Sequence, residues 1–173
     1  MNRAVFLDRD GVINHNDVRD GRPVGPESLA QFVIIPGVRE AIEAFHAAGF
    51  LVIVATNQPD VARELVEAMH AQLRNNLKID DIKVCVHAEA DNCACRKPKP
   101  GMLLEAARER EISLPQSWMI GDRWRDVEAG KAAGCRTVFV DHGYVNEQSP
   151  REPDVIVHSL IEAVPFVTGR TVV

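Results

Sequence analysis

Aromatic residues are scarce in this chain, at 5% of 173 residues. So few rings leave no stacking platform for the bases of single-stranded nucleic acid. Positive charge is not in surplus either: 20 Lys and Arg face 25 Asp and Glu, for a net charge of −5. The protein therefore has no overall electrostatic reason to bind nucleic acid or an anionic membrane. No apolar run approaches the ~20 residues that cross a bilayer. The N-terminal stretch carries charge too early to read as a signal peptide. Repeats, linkers and low-complexity segments are also missing. The expectation is one domain over residues 1–173, monomeric and cytoplasmic, with no nucleic-acid or membrane partner and a poorly ordered tail at 168–173.

What is present reads as an alternation of strands and helices. Apolar, β-rich runs at 4–7, 50–55, 82–86, 118–120, 137–140 and 155–157 predict strands. Val38, Ala41, Ile42 and Phe45 recur at i, i+3, i+4 and i+7, which predicts an amphipathic helix over 37–48 ended by Gly49. Val61, Leu65, Met69 and Leu73 mark a second helix. Met102, Leu103, Ala106 and Ala107 mark a third, opened by Pro100. A small-residue helix near 126–133 and a short one after 157 complete the series. This order predicts an α/β fold of three layers, a mainly parallel sheet with helices on both faces. Residues 14–36 read as one long connection containing Gly and Pro, either an excursion over a site or a plain surface loop.

Ligands of such sheets bind beyond the carboxyl ends of the strands, and the polar motifs of this chain fall there. Asp8-Arg9-Asp10-Gly11 follows the first strand. Side chains two apart on extended backbone share a face, so Asp8 and Asp10 are expected to face one site while Arg9 faces elsewhere. Paired carboxylates at a buried strand end call for a shared cation or proton. Thr56-Asn57-Gln58 offers neutral donors suited to phosphate oxygens. Arg96-Lys97-Pro98-Lys99 is a local basic cluster on a stiff segment, able to clasp a phosphate. Gly121-Asp122 follows another apolar strand, and Asp126 lies one helical turn on, behind the site or as a charge on the helix dipole. Each motif alone also reads as ordinary loop or turn chemistry. Their joint placement is what points to phosphoryl transfer: one carboxylate attacks phosphorus, a second moves a proton, and a lysine and a metal neutralise charge.

Of four cysteines, three fall within residues 85–95. Cys85, His87, Cys93 and Cys95 supply four ligands within eleven residues, the set of a closed tetrahedral zinc site; the competing reading is a group of reduced surface thiols. A closed site has no position for a reacting water, so its role would be to brace the loop carrying Arg96 and Lys97. Cys135 reads as a small core residue. His15, His46, His70, His142 and His158 are scattered and read as ordinary surface or core residues.

Taken together, Asp8-Arg9-Asp10-Gly11-Val12, Thr56-Asn57-Gln58, Lys97 and Gly121-Asp122 resemble the haloacid dehalogenase (HAD) superfamily. The segment Cys85-x-His87 with Cys93-x-Cys95-Arg96-Lys97-Pro98 is similar to the zinc loop of its small capless branch, which holds heptose bisphosphate and histidinol phosphatases. The resemblance implies a three-layer Rossmann-like core without a large cap domain. It implies Asp8 as nucleophile, Asp10 as general acid/base, and Lys97 as the neutralising charge. Thr56, Asn57, Gln58 and Arg96 would hold phosphate and substrate, and magnesium would sit on Asp8, Asp10 (by its carbonyl) and Asp122. It also implies a sugar bisphosphate substrate, with the C7 phosphate of D-glycero-D-manno-heptose 1,7-bisphosphate removed. Histidinol phosphate or another small sugar phosphate is the alternative. Pro59-Asp60 and Glu64 depart from the heptose pattern near the substrate entrance. The five residues between His87 and Cys93 resemble histidinol phosphatases as much as heptose ones.

Overall fold

The computed structural model describes residues 1–169. In chain order, β1 (Arg3–Leu7) is followed by β2 (Asp17–Arg19), β3 (Arg22–Val24), α1 (Val38–Ala47) and β4 (Phe50–Asn57). Then come α2 (Arg63–Asn76), β5 (Asp81–Cys85), α3 (Gly101–Glu109), β6 (Trp118–Gly121) and α4 (Trp124–Ala133). The chain ends with β7 (Arg136–Val140), β8 (Val155–Val157) and α5 (Leu160–Thr168).

Every residue of β1 from Ala4 to Leu7 is fully buried, so both faces of the sheet must be covered there. The six-stranded sheet runs β5-β4-β1-β6-β7-β8, with every pairing parallel. Alternation along β1 divides the core. Val5 and Leu7 join Val52, Val54 and Ile120 beneath α1, α2 and α5, where Phe45, Met69 and Val164 pack. Ala4 and Phe6 join Ile53, Ala55 and Met119 beneath Met102, Leu103 and Ala106 of α3. Each such side chain contributes about 1.5–3 kcal/mol on burial. Phe6→Ala would cost roughly 3–5 kcal/mol, because a void under α3 could not close fully. The predicted α/β sheet is the observed one, with boundaries moved by one or two residues. Val61, for example, precedes α2 rather than opening it.

Two expectations are corrected. Residues 14–36 contain a hairpin, β2 paired antiparallel with β3. Its turn, Asp20-Gly21, has φ of 52° and 75°, the left-handed pair that an Asp-Gly hairpin turn requires. Thr168 is the last residue of α5, its hydroxyl donating to Val164 O at 2.8 Å, and Gly169 N donates to Pro165 O. The rest of the expected disordered tail, residues 170–173, lies outside the described residues.

The carboxyl ends of β4, β1 and β6 stand side by side. From β1 the connections run outward in both directions, so a crevice opens there.

Candidate active site

Asp8 continues β1 by one residue, its N–H donating to Ile120 O at 2.9 Å. The chain then turns sharply: Arg9 O accepts from Val12, Ile13 and Asn14 N–H groups. Gly11 makes this turn possible. Its φ is +83°, and a Cβ there would lie 2.1 Å from Asp122 Oδ2.

Lys97 reaches the same crevice from the loop before α3. Its Nζ donates to Asp8 Oδ1 at 2.8 Å, Ala55 O at 2.7 Å and Asp126 Oδ1 at 2.6 Å, so all three ammonium protons are used. Lys97 and Asp126 are 3% and 2% exposed, so this ion pair is dry. Asp126 stands behind Lys97 as expected, binding it directly, and it also reaches the cavity wall. One oxygen of each of Asp8, Asp122 and Asp126 lies within 4.8 Å of the others. Gly121 allows this approach, since a Cβ there would meet Asp126 at 2.1 Å.

Three buried carboxylates crowd together and Lys97 binds only two of them, Asp8 and Asp126, so the electrostatics show the strain. Burial and then the Asp126 charge push Asp8 up to about 6, against the pull of Lys97. Burial, then Asp8 and Asp126, push Asp122 well above its usual range, although Tyr144 and Arg123 pull the other way. Asp122 Oδ2 accepts from Tyr144 Oη at 2.6 Å and Asn16 Nδ2 at 3.2 Å, while its buried Oδ1 has no partner. A hard divalent cation fits this donor set: it takes oxygen ligands, offsets the excess negative charge and gives Oδ1 a partner.

Asp10 meets a different neighbourhood. Its carboxylate accepts from Arg9 Nε at 3.0 Å, Asn14 Nδ2 at 2.9 Å and Gln58 Nε2 at 2.9 Å. Burial alone would raise its pKa, but Arg9 first, then Gln58 and Asn14, outweigh burial and hold it below the usual carboxylate range. Arg9 does not line the cavity that Asp8 and Asp10 share, as alternation predicted, but it is not idle there. Its guanidinium is fully buried on Asp10, with Nη1 3.3 Å from His70 Nε2. Burial, then the cations Arg9 and Arg74, push His70 down to about 4, so it accepts from Arg9 as a neutral ring.

Thr56 and Asn57 line the crevice, but the expected donor cluster is largely committed inside the protein. Asn57 exchanges two hydrogen bonds of 3.1 Å with the Lys97 backbone, which fixes that loop to β4. Gln58 is buried and donates to Asp10 and Thr56 Oγ1. The resulting cavity, about 230 Å³, is lined by Asp8, Asp10, Thr56, Asn57 and Lys97, and by Arg96, Arg123 and Arg125. Asn16, Pro23 and Gly25 line it too, so the 14–36 segment does pass over the site; so do Pro59 and Asp60, the residues that depart from the heptose pattern.

The second cluster stands beside this loop. Sγ atoms of Cys85, Cys93 and Cys95 lie 3.2–3.7 Å apart, and His87 Nδ1 is 3.3 Å from Cys95 and 3.6 Å from Cys85. A tetrahedral zinc at about 2.3 Å from each sulfur sets them roughly 3.7 Å apart, so the four atoms can hold a metal. Cys93 Sγ also accepts from Arg96 N, and Gly101 N donates to Ala94 O, so the cluster shapes the path to Lys97.

Arg9, Arg123 and Arg125 lay within the motifs but were given no role at the site, and Asn14, Asn16, His70 and Tyr144 were not marked as site residues. Tyr144 carried one available signal: it is the only tyrosine in the chain.

Among the described residues, no helix is long and apolar enough to cross a membrane. The HAD-hydrolase-like family model matches residues 94–163. D-glycero-β-D-manno-heptose-1,7-bisphosphate 7-phosphatase of Pseudomonas putida is 39% identical over 82% of this chain and 83% of its own length. The Pasteurella multocida enzyme of the same name is 33% identical over 98% of both chains. A crystal structure of the D,D-heptose 1,7-bisphosphate phosphatase from B. bronchiseptica, complexed with magnesium and phosphate, superposes with a TM-score of 0.83 at 27% identity, over 98% of this chain and 99% of that one. With its parallel sheet, its strand-end carboxylates and these relatives, the chain belongs to the heptose-bisphosphate phosphatase branch of the HAD-like hydrolases.

Proposed function

We propose that this phosphatase removes the C7 phosphate of D-glycero-D-manno-heptose 1,7-bisphosphate and leaves the anomeric phosphate in place, as a one-domain, monomeric, cytoplasmic enzyme. The carrying observation is the cavity itself. Lys97 holds Asp8 there, and Arg96 and Arg125 line the same space, as does Arg123, which Glu147 holds. Cations beyond the one on the nucleophile suit a substrate with two anionic groups. The names and titles of the relatives support the same substrate.

An Asp8 carboxylate oxygen attacks phosphorus, the bond from phosphorus to the sugar oxygen breaks, and Asp10 gives that oxygen a proton. Asp10 then takes a proton from water, and the resulting hydroxide attacks the aspartyl phosphate, releasing phosphate and restoring Asp8. For the first step Asp10 must leave Arg9 and turn into the cavity, which its partial exposure allows. Lys97, fixed by Asp126 and Ala55, holds Asp8 and neutralises the transferring group. Thr56 contacts the phosphoryl oxygens. Asn57 acts by holding the Lys97 backbone, and Gln58 by holding Asp10 and Thr56. Magnesium, on Asp8, Asp122 and the Asp10 carbonyl, with Asp126 adjoining, supplies Lewis-acid charge when bound. Zinc on Cys85, His87, Cys93 and Cys95 braces the loop.

The short spacing between His87 and Cys93 resembles histidinol phosphatases as much as heptose ones, so histidinol phosphate is the second substrate to test. Its cationic amine would enter a cavity lined by arginines, which disfavours it. Specificity constants for both heptose bisphosphate anomers and for histidinol phosphate, measured by phosphate release with magnesium, decide between them. Higher efficiency on histidinol phosphate refutes the heptose assignment.

A further inference from the structure

The loop after β7 is tied to the site at several points, and its sequence carries no family motif. His142 Nε2 donates to Gly11 O at 2.7 Å. Tyr144 Oη donates to Asp122 Oδ2 at 2.6 Å and accepts from Asn16 Nδ2 at 2.8 Å. Arg22 Nε donates to Asn146 O at 3.0 Å, and Asn146 N donates to Gly21 O, which clasps the loop to the β2–β3 hairpin. Glu147 takes both ends of the Arg123 guanidinium, at 3.0 and 2.9 Å. One loop thus fixes two consecutive residues at the end of β6, Asp122 through Tyr144 and Arg123 through Glu147.

The donor count on Asp122 gives this a purpose. Oδ2 is occupied by two donors, and Oδ1 is buried with none. A carboxylate held by one oxygen cannot rotate to share its charge with other donors, so the second oxygen stays presented in one direction. We propose that Tyr144, with Asn16, is the positioning pair that aims Asp122 Oδ1 at the divalent cation of this site; the inference rests on the reading that Asp8 and Asp122 hold magnesium. Outer partners that orient a metal ligand typically contribute 10–100-fold to metal affinity. A tyrosine used only for packing would contribute through its ring, and the phenylalanine variant keeps that ring.

The test is calorimetric titration of the substrate-free, zinc-loaded protein with magnesium alone. Tyr144→Phe is expected to weaken magnesium binding roughly 10–100-fold, with zinc content unchanged. Its magnesium requirement for phosphate release should rise by the same factor. Asn16→Ala should weaken binding in the same direction by less, because Tyr144 still holds Oδ2. If Tyr144→Phe binds magnesium within twofold of the parent, the positioning role is wrong while the metal reading stands. Should Tyr144→Phe fail to fold, Asn16→Ala decides by the same twofold criterion. A parent protein whose magnesium binding is absent, or is not reduced by Asp122→Asn, overturns the metal reading and this proposal together.

Discussion

Asp8 and Asp10 are two residues apart, yet they sit in regions of opposite electrostatic character. On the Asp8 side, three buried carboxylates crowd together with Lys97 bound to two of them, and burial with the neighbouring charges pushes Asp8 up to about 6. On the Asp10 side, one carboxylate accepts from Arg9, Asn14 and Gln58 together and is held below its usual range. The proposed roles need the reverse, an ionised nucleophile and a proton-bearing acid. A cation among Asp8, Asp122 and Asp126 favours the ionised nucleophile. Asp10 becomes an acid only on leaving Arg9 for the substrate. The counter-charge that readies Asp8 comes from outside the chain, and the one that restrains Asp10 is built into it.

Exchanging either carboxylate for its amide tests this contrast. Asp8→Asn should lower turnover by roughly 10⁴–10⁶-fold, the scale of losing a covalent nucleophile. It also removes one of three repelling carboxylates, so the magnesium-free melting temperature should not fall. Near-normal phosphate release would refute the covalent route. Asp10→Asn should cost about 10²–10⁴-fold. Here the magnesium-free melting temperature should drop, because the buried Arg9 loses its carboxylate. Each kcal/mol lost moves the midpoint of a chain this size by roughly 2–4 °C. Equal melting shifts in the two variants would break the comparison.

The two sides also differed in legibility. Asp8 and Asp122 were visible because a buried strand running into a polar residue marks a strand end, and strand ends of a parallel sheet converge; Lys97 was visible as part of a basic cluster on a stiff loop. The Asp10 side was legible only in part. Asp8 and Asp10 line one cavity and Arg9 does not, as expected, but β1 stops at Leu7, and the turn closed on Arg9 O brings Arg9 onto Asp10, a contact that strand alternation does not reveal. His70 sits on α2 at a position where helical spacing suggests only a core residue, and its role depends on a partner 61 residues away. The hairpin escaped because its strands have three residues each and one contains Pro23, although Asp20-Gly21 was the available sign. The strands, the helices, the parallel sheet and the Cys/His cluster were readable from local pattern; the strand order was not read. Polar networks between distant loops were not.

Each side has a remote support, and removing the supports should have smaller effects. For Asp8 the support is the loop of Cys85, His87, Cys93 and Cys95, which leads into Lys97. Purified protein should hold about one zinc per chain, checked by elemental analysis. Cys93→Ser should lose that zinc and also the sulfur that accepts from Arg96 N. Turnover should fall by roughly 10–100-fold, the scale of disturbing residues that orient a site. Full activity in a zinc-free Cys93→Ser protein would detach the loop from the Asp8 side.

For Asp10 the support is His70, and the effect expected there is the smallest. His70 accepts from Arg9 only as a neutral ring. Burial contributes most to its lowered pKa, Arg9 and Arg74 add to the shift, and Asp10 opposes them. The sign follows from the folded value of about 4 against an unfolded value of 6.5. Between these limits the unfolded chain binds a proton at this ring that the folded chain excludes, so acid favours unfolding. The stability linked to neutral His70 is complete above about pH 6.5 and is lost as pH falls towards 4. His70→Gln keeps an acceptor for Arg9 and cannot titrate. Melting curves of parent and variant from pH 4 to pH 7 should therefore converge on the acid side and separate on the neutral side. Asp8 and Asp122 titrate in both proteins, so their contribution cancels in the difference. Parallel curves would mean that His70 is charged in the fold, and Arg9 would then need another acceptor.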